Sequence, residues 1–193
     1  GDKSICEGTH ISIQDNGKAK QHSRILKKIS FHESINSPIR FHKDIALYKI
    51  THTKIDTYAK ISAADYHSLT GFEVFVVGFR PYLDESLRRS KMVDDVFVLK
   101  YSKGAISNCD TIDSVICVYR SCNDEESLSI GDLGGPVVHD GKIVAINIFK
   151  DKTFQNSNIG PILSVAIPVS PYLNWLQKNI AILAIKSRKS MYY

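Results

Sequence analysis

The sequence predicts an all-β protein that ends in a single helix. Three observations predict it. Short runs rich in β-branched and aromatic residues recur along the chain, most of them bounded by Gly, Pro, Asn, Asp or Ser. The dipeptide Asp140-Gly141 stands between two such runs and is the strongest hairpin signal in the chain. Only one stretch, near the C-terminus, spaces its apolar residues as a helix does.

The runs cover residues 11–13, 45–50, 74–77, 96–99, 137–138, 143–148 and 162–167. Each is too short for an independent helix, and the branched side chains suit a pleated, half-buried surface. Asp140 and Gly141 both tolerate the positive φ that a tight two-residue turn needs. The helix is read from Leu173, Leu176, Ile180, Leu183 and Ala184, with Trp175 and Ile182 beside them. Ser170 reads as its N-cap and Pro171 as its first residue. No internal repeat and no low-complexity tract interrupts this order.

The chain has 193 residues, with 25 Lys+Arg against 20 Asp+Glu, a formal charge of +5. Hydrophobic residues make up 43% and charged residues 23%, an ordinary globular composition. That excludes a disordered tail, a collagen-like rod and a supercharged nucleic-acid binder. A chain of this length buries roughly 70% of its unfolded surface, enough for one large domain or two small halves. The densest basic stretches are Lys27-Lys28, Arg88-Arg89 and the tail Lys186, Arg188 and Lys189. They read as solvated surface, and no nucleic-acid partner is expected. No apolar run reaches the roughly 18 residues of a membrane span, and no membrane partner is expected. No secretory signal opens the chain; it starts at Gly1 rather than Met, which suggests a mature or shortened product.

Four cysteines occur: Cys6, Cys109, Cys117 and Cys122. None forms a C-x-x-C pair, so no zinc knuckle, metal or other cofactor is expected. Three of them lie between positions 109 and 122, a spacing that suits a disulfide-closed loop in a secreted protein. Free thiols in a reducing compartment are the alternative.

Residues Gly131-Asp132-Leu133-Gly134-Gly135-Pro136 precede a strand, the Asp-Gly hairpin and a second strand. The glycines permit a sharp turn and close backbone approach. Pro136 fixes φ and leads into Val137-Val138. This hexad resembles the Gly-Asp-Ser-Gly-Gly-Pro turn of trypsin-like, chymotrypsin-fold serine proteases. Asp44-Ile45-Ala46-Leu47-Tyr48-Lys49-Ile50 is similar to the segment around that family's triad aspartate. Lys28-Ile29-Ser30-Phe31-His32 looks like its strand ending in His-Pro, with Glu33 for the proline. Val76-Val77-Gly78-Phe79 looks like its Gly-Trp segment, and Ile116-Cys117 like its Ile-Cys pair, which implies a bridge to Cys109. Val169-Ser170-Pro171-Tyr172-Leu173-Asn174-Trp175-Leu176 looks like the signature that opens its final helix.

The resemblance runs from about residue 5 to about residue 180. It implies two antiparallel six-stranded β-barrels and a C-terminal helix. The N-terminal barrel, about 1–70, is expected to be incomplete, and the C-terminal barrel plus helix to cover about 71–193.

The same alignment removes the chemistry. The family's mechanism needs a hydroxyl, an imidazole to activate it and an aspartate to orient the imidazole. The nucleophile position is Leu133, a hydrocarbon with no proton to give up. Losing the nucleophile of such a triad costs on the order of 10⁶ in turnover. Ser4-Ile5-Cys6 is the one candidate for the histidine motif, and it puts Ile5 at the histidine. His10, His22, His32 and His42 have no matching context. Asp44 is then an orphaned triad aspartate, read as a partly buried carboxylate bonded to nearby backbone. The oxyanion-hole donors implied are the N–H groups of Gly131 and Leu133, and they have no attack to assist.

The implied substrate pocket is altered too. Ser127 stands where trypsin specificity uses aspartate. Ile148-Phe149-Lys150 replaces the substrate-binding Ser-Trp-Gly strand, Ser164 a wall glycine and Ala166 a tyrosine. Lys150 and Leu133 are expected to narrow or fill the cleft. One cysteine of the pocket bridge is Ser129, and the other is missing after Lys150. That loss is about 2–4 kcal/mol unless packing compensates. The family's activation pairs a freed aliphatic N-terminus with the aspartate before the nucleophile. Asp132 is present without an Ile-Val-Gly-Gly start, so it must pair otherwise or stay solvated, and a loosely ordered loop around 122–133 is expected. Cys6 would be free, pair with Cys122 or pair outside the chain.

The resemblance implies a secreted, inactive protease homologue that works by binding proteins: a decoy, a cascade cofactor or an immune or complement modulator. Its look is that of the inactivated paralogues of mite group 3 allergens, scabies mites included. Two alternatives stand beside it. One is an endopeptidase with a relocated nucleophile (Ser127, Ser129 or Cys122) and His139 or His32 as base. The other is a fragment with no function of its own.

Overall fold

The computed structural model describes residues 10–13, 21–30, 45–51, 58–81, 97–109, 115–120, 132–149 and 162–189. They fall into two compact units. One holds strands β1 (His10–Ile13), β2 (Gln21–Ser30) and β3 (Ala46–Ile50) and nearly all of helix α1 (Leu173–Lys189). The other holds β4 (Lys60–Ile61), β5 (Glu73–Pro81), β6 (Phe97–Asn108), β7 (Ile116–Arg120), β8 (Pro136–His139), β9 (Lys142–Phe149) and β10 (Ile162–Pro168).

In the first unit the strands form an antiparallel sheet in the order β1-β2-β3. Ile11 sits opposite Ser23, and Ile29 opposite Leu47. A bulge falls between Ile25 and Lys27. The Thr51 N–H donates to the Arg24 carbonyl at 2.9 Å, and the Arg24 N–H donates to Thr51 Oγ1 at 3.0 Å. This reciprocal pair ends the β2–β3 ladder.

The second unit is a closed barrel. β5 to β10 pair in the order β10-β7-β6-β5-β8-β9, and β9 pairs back to β10. Every pairing in the ring is antiparallel, and β4 adds to β9 in parallel through Lys60 opposite Lys142 and Ile61 opposite Ile143. Closure removes the free edges that would otherwise invite pairing with another chain. The C-terminal barrel implied by the sequence is thus a closed six-stranded barrel, and in place of a second barrel, expected to be incomplete, the described residues form a three-stranded sheet.

Strand periodicity builds the core. On β5, Val74 and Val76 are fully buried, while Phe75 between them points outward against Tyr101. Ile106, Ile116, Val118, Val137, Val144, Ala145 and Ala166 join them in one cluster. Each buried Val or Ile is worth about 1.5–3 kcal/mol of transfer free energy. β7 is buried on both faces: Val115, Cys117 and Tyr119 form a second cluster with Val165. The Asp-Gly turn forms as read, with φ of 47° at Asp140 and 67° at Gly141.

Two readings change. β6 runs far beyond residue 99, because 100–108 pair with β5 on one side and β7 on the other, a context no local propensity reports. Ser170 is not the helix N-cap. A 3-10 turn, Ser170–Tyr172, precedes α1; Val169 caps that turn without a side-chain bond. The Ser170 hydroxyl instead accepts the Tyr66 N–H at 3.2 Å.

Candidate functional site

The turn between residue 131 and β8 is built around Asp132, which is completely buried. Its burial has a steric condition on β5. A Cβ at Gly78 would lie 2.1 Å from Asp132 Oδ1 and 2.6 Å from Asp132 Cα. The Val-Val-Gly-Phe segment thus carries glycine at 78 because Asp132 occupies the space of a side chain there. Gly135 meets the same constraint from the Val77 carbonyl, 2.2 Å from where its Cβ would stand. Gly134 has φ of +78°, which turns the chain back toward β9.

Asn147, in β9, holds this turn. Its carbonyl accepts the Gly134 N–H at 2.7 Å, and its own N–H donates to the Gly135 carbonyl at 2.9 Å. Its side-chain Nδ2 donates to the Asp132 carbonyl at 2.8 Å. That carbonyl also accepts the Gly135 N–H at 3.1 Å. The Ser164 hydroxyl, from β10, donates to Asn147 Oδ1. Asn147 and Ser164 are both wholly buried, so each polar atom needs the partner it has.

Leu133 stands out of this scaffold, 44% exposed. The arrangement therefore presents a short hydrocarbon side chain on a turn whose two sides are hydrogen-bonded to a barrel strand. Leu133 itself supplies no general base, nucleophile or metal ligand there.

The other residues singled out by sequence divide cleanly. Asp132 is buried, which overturns the alternative that it stays solvated. Asp132 and Leu133 belong to a defined turn, where a loosely ordered one was expected; residues 122–131 lie outside the described residues. Ser164 bonds Asn147, and Ala166 belongs to the barrel core. Ile148 packs on the second cluster, with Cys117, Tyr119 and Val165. Phe149 pairs with Val165 in the β9–β10 ladder. Cys109 and Cys117 are joined in a disulfide. His139 sits at the end of β8, its Nδ1 2.8 Å from the Glu73 carbonyl and its ring edge-on to Phe72. Ile5, Cys6, His32, Asp44, Cys122, Ser127, Ser129, Gly131 and Lys150 lie outside the described residues. Sequence reasoning missed Asn147. Its one signal was a lone amide in the apolar run 143–148.

The fold has counterparts of known structure. The chain is similar to mouse neuropsin, a serine protease expressed in the limbic system of the brain, with a TM-score of 0.57 and 16% identity over 83% of this chain and 73% of that one. It is also similar to the scabies mite inactivated protease paralogue S-I1, with a TM-score of 0.57 and 20% identity over 81% of this chain and 68% of that one. At these identities the likeness shows the fold alone. No match was found among curated protein sequences. The trypsin family model matches residues 3–176, nearly the whole chain, and the chain belongs to that family.

Proposed function

We propose that this protein is a catalytically inactive member of the trypsin family that works outside the cell by binding another protein, as a decoy, a cascade cofactor or an immune or complement modulator. The observation that carries the reading is Leu133, an exposed hydrocarbon on a hydrogen-bonded turn that follows the family's buried aspartate. A leucine supplies contact area and no chemistry. The Cys109–Cys117 disulfide supports an oxidising compartment. The fold is shared with an inactivated mite paralogue as well as with a serine protease, so it is compatible with this reading.

The test has two arms. An active-site fluorophosphonate leaves the purified protein unlabelled, and peptide substrates are not turned over. A partner recovered from serum or haemolymph binds saturably, and Leu133→Asp weakens that binding tenfold or more, as loss of a central apolar contact does. Inhibitor-sensitive peptide turnover overturns the inactive reading. Partner binding that Leu133→Asp leaves unchanged overturns the role given to the turn.

A further inference from the structure

We propose that Asn147 fixes the Leu133 turn in a single shape through folding alone, so that the surface carrying Leu133 forms without any cleavage of the chain. The proposal rests on the binding reading for its purpose, and on Asn147 itself for its mechanism.

Three hydrogen bonds run from this one residue to the turn: main chain to Gly134, main chain to Gly135, and side chain to the Asp132 carbonyl. The side-chain bond has a defined polarity. An amide has a donor end and an acceptor end, and turned over it would set oxygen against the Asp132 carbonyl oxygen. The Asp132 carbonyl can only accept, so it selects the orientation with Nδ2 facing it, and the Ser164 hydroxyl then donates to the remaining Oδ1. The lock thus spans three elements: the turn, β9 and β10. All three residues in it, Asp132, Asn147 and Ser164, are shut off from water, where a lost partner leaves a polar group unsatisfied. Asn147 donates through a neutral amide, so the bond needs no ammonium group delivered from elsewhere. It needs only the packing of the turn onto β9.

Asn147 is a positioning residue, and its effect is read without any partner. Amide hydrogen exchange on the intact protein is expected to show Gly134, Gly135 and Asn147 protected like the barrel strands. A blocked or extended amino terminus is expected to leave that protection unchanged. Asn147→Ala lowers protection of the Gly134 and Gly135 amides about tenfold or more, with β5–β6 amides little altered. Ser164→Ala, a milder change, lowers it in the same place should Asn147→Ala fail to fold.

Asn147→Asp gives the decisive readout. A protonated carboxyl can donate the same bond to the Asp132 carbonyl, whereas a carboxylate repels it. Turn protection in that variant is therefore near wild type at acid pH and falls below wild type as pH rises. Unprotected turn amides in the wild type, protection that depends on a free amino terminus, or an Asn147→Asp profile parallel to wild type would each overturn the proposal. None of these readouts uses the partner, so a failed lock and a failed binding role are told apart.

Discussion

The two units spend their sequence differently. In the closed barrel almost every inward position of β5, β7, β8, β9 and β10 is buried, and β7 is buried on both faces. In the three-stranded sheet and the loop entering β3, only Ser23 and Ile45 are buried among the residues whose exposure is described. Leu26, Arg24, Lys27 and Lys28 stand in solvent on one continuous stretch of β2. The comparison teaches that closure decides where substitution is tolerated. A ring of strands makes each inward side chain a neighbour of several others, whereas an open three-stranded sheet leaves most of its side chains with few.

The sharpest way to break this contrast is to remove core volume. Ile116→Ala, at 1% exposure in β7, is expected to destabilise by about 2–5 kcal/mol in chemical denaturation. A loss under 1 kcal/mol would mean that the barrel is not the stabilising unit. Next in size is the bridge between Cys109 and Cys117, eight residues apart. Replacing both by Ala is expected to cost about 2–3 kcal/mol through the freed loop, read as a lower denaturation midpoint. The smallest effect belongs to the sheet. Leu26→Ala, with Leu26 53% exposed, is expected to change stability by no more than about 0.5 kcal/mol. A large loss there would show that a covering element makes the sheet as demanding as the barrel.

Much of this was legible before the structure. The strands at 74–77, 143–148 and 162–167 and the Asp140-Gly141 turn announce themselves through local chemistry, because β-branched runs and positive φ are properties of single residues and their neighbours. Leu133 was picked out differently, through the family resemblance of the hexad 131–136. What escaped was set at a distance. Ser170 before Pro171 carries every local mark of an N-cap, yet its hydroxyl serves Tyr66, 104 residues away. Asn147 reads as a polar interruption of an apolar strand until the Asp132 carbonyl is seen beside it. Strand β6 beyond residue 99 is polar and reads as loop; its partners on both sides make it strand. Ile5, Asp44, Gly131, Ser127 and Lys150 keep the roles that the family resemblance implies, as expectations.

The contact between Gly78 and Asp132 constrains the history open to this chain. The atoms of one residue fill the space that any side chain at the other would need. Neither position can therefore drift by itself: enlarging 78 ejects the acid, and shrinking 132 opens a void against β5. An ancestor that had lost every reason to cut peptide bonds would still have been held to this pair by packing. A residue of this size at 132 is thus kept by packing against β5, whatever chemistry the turn does or does not perform.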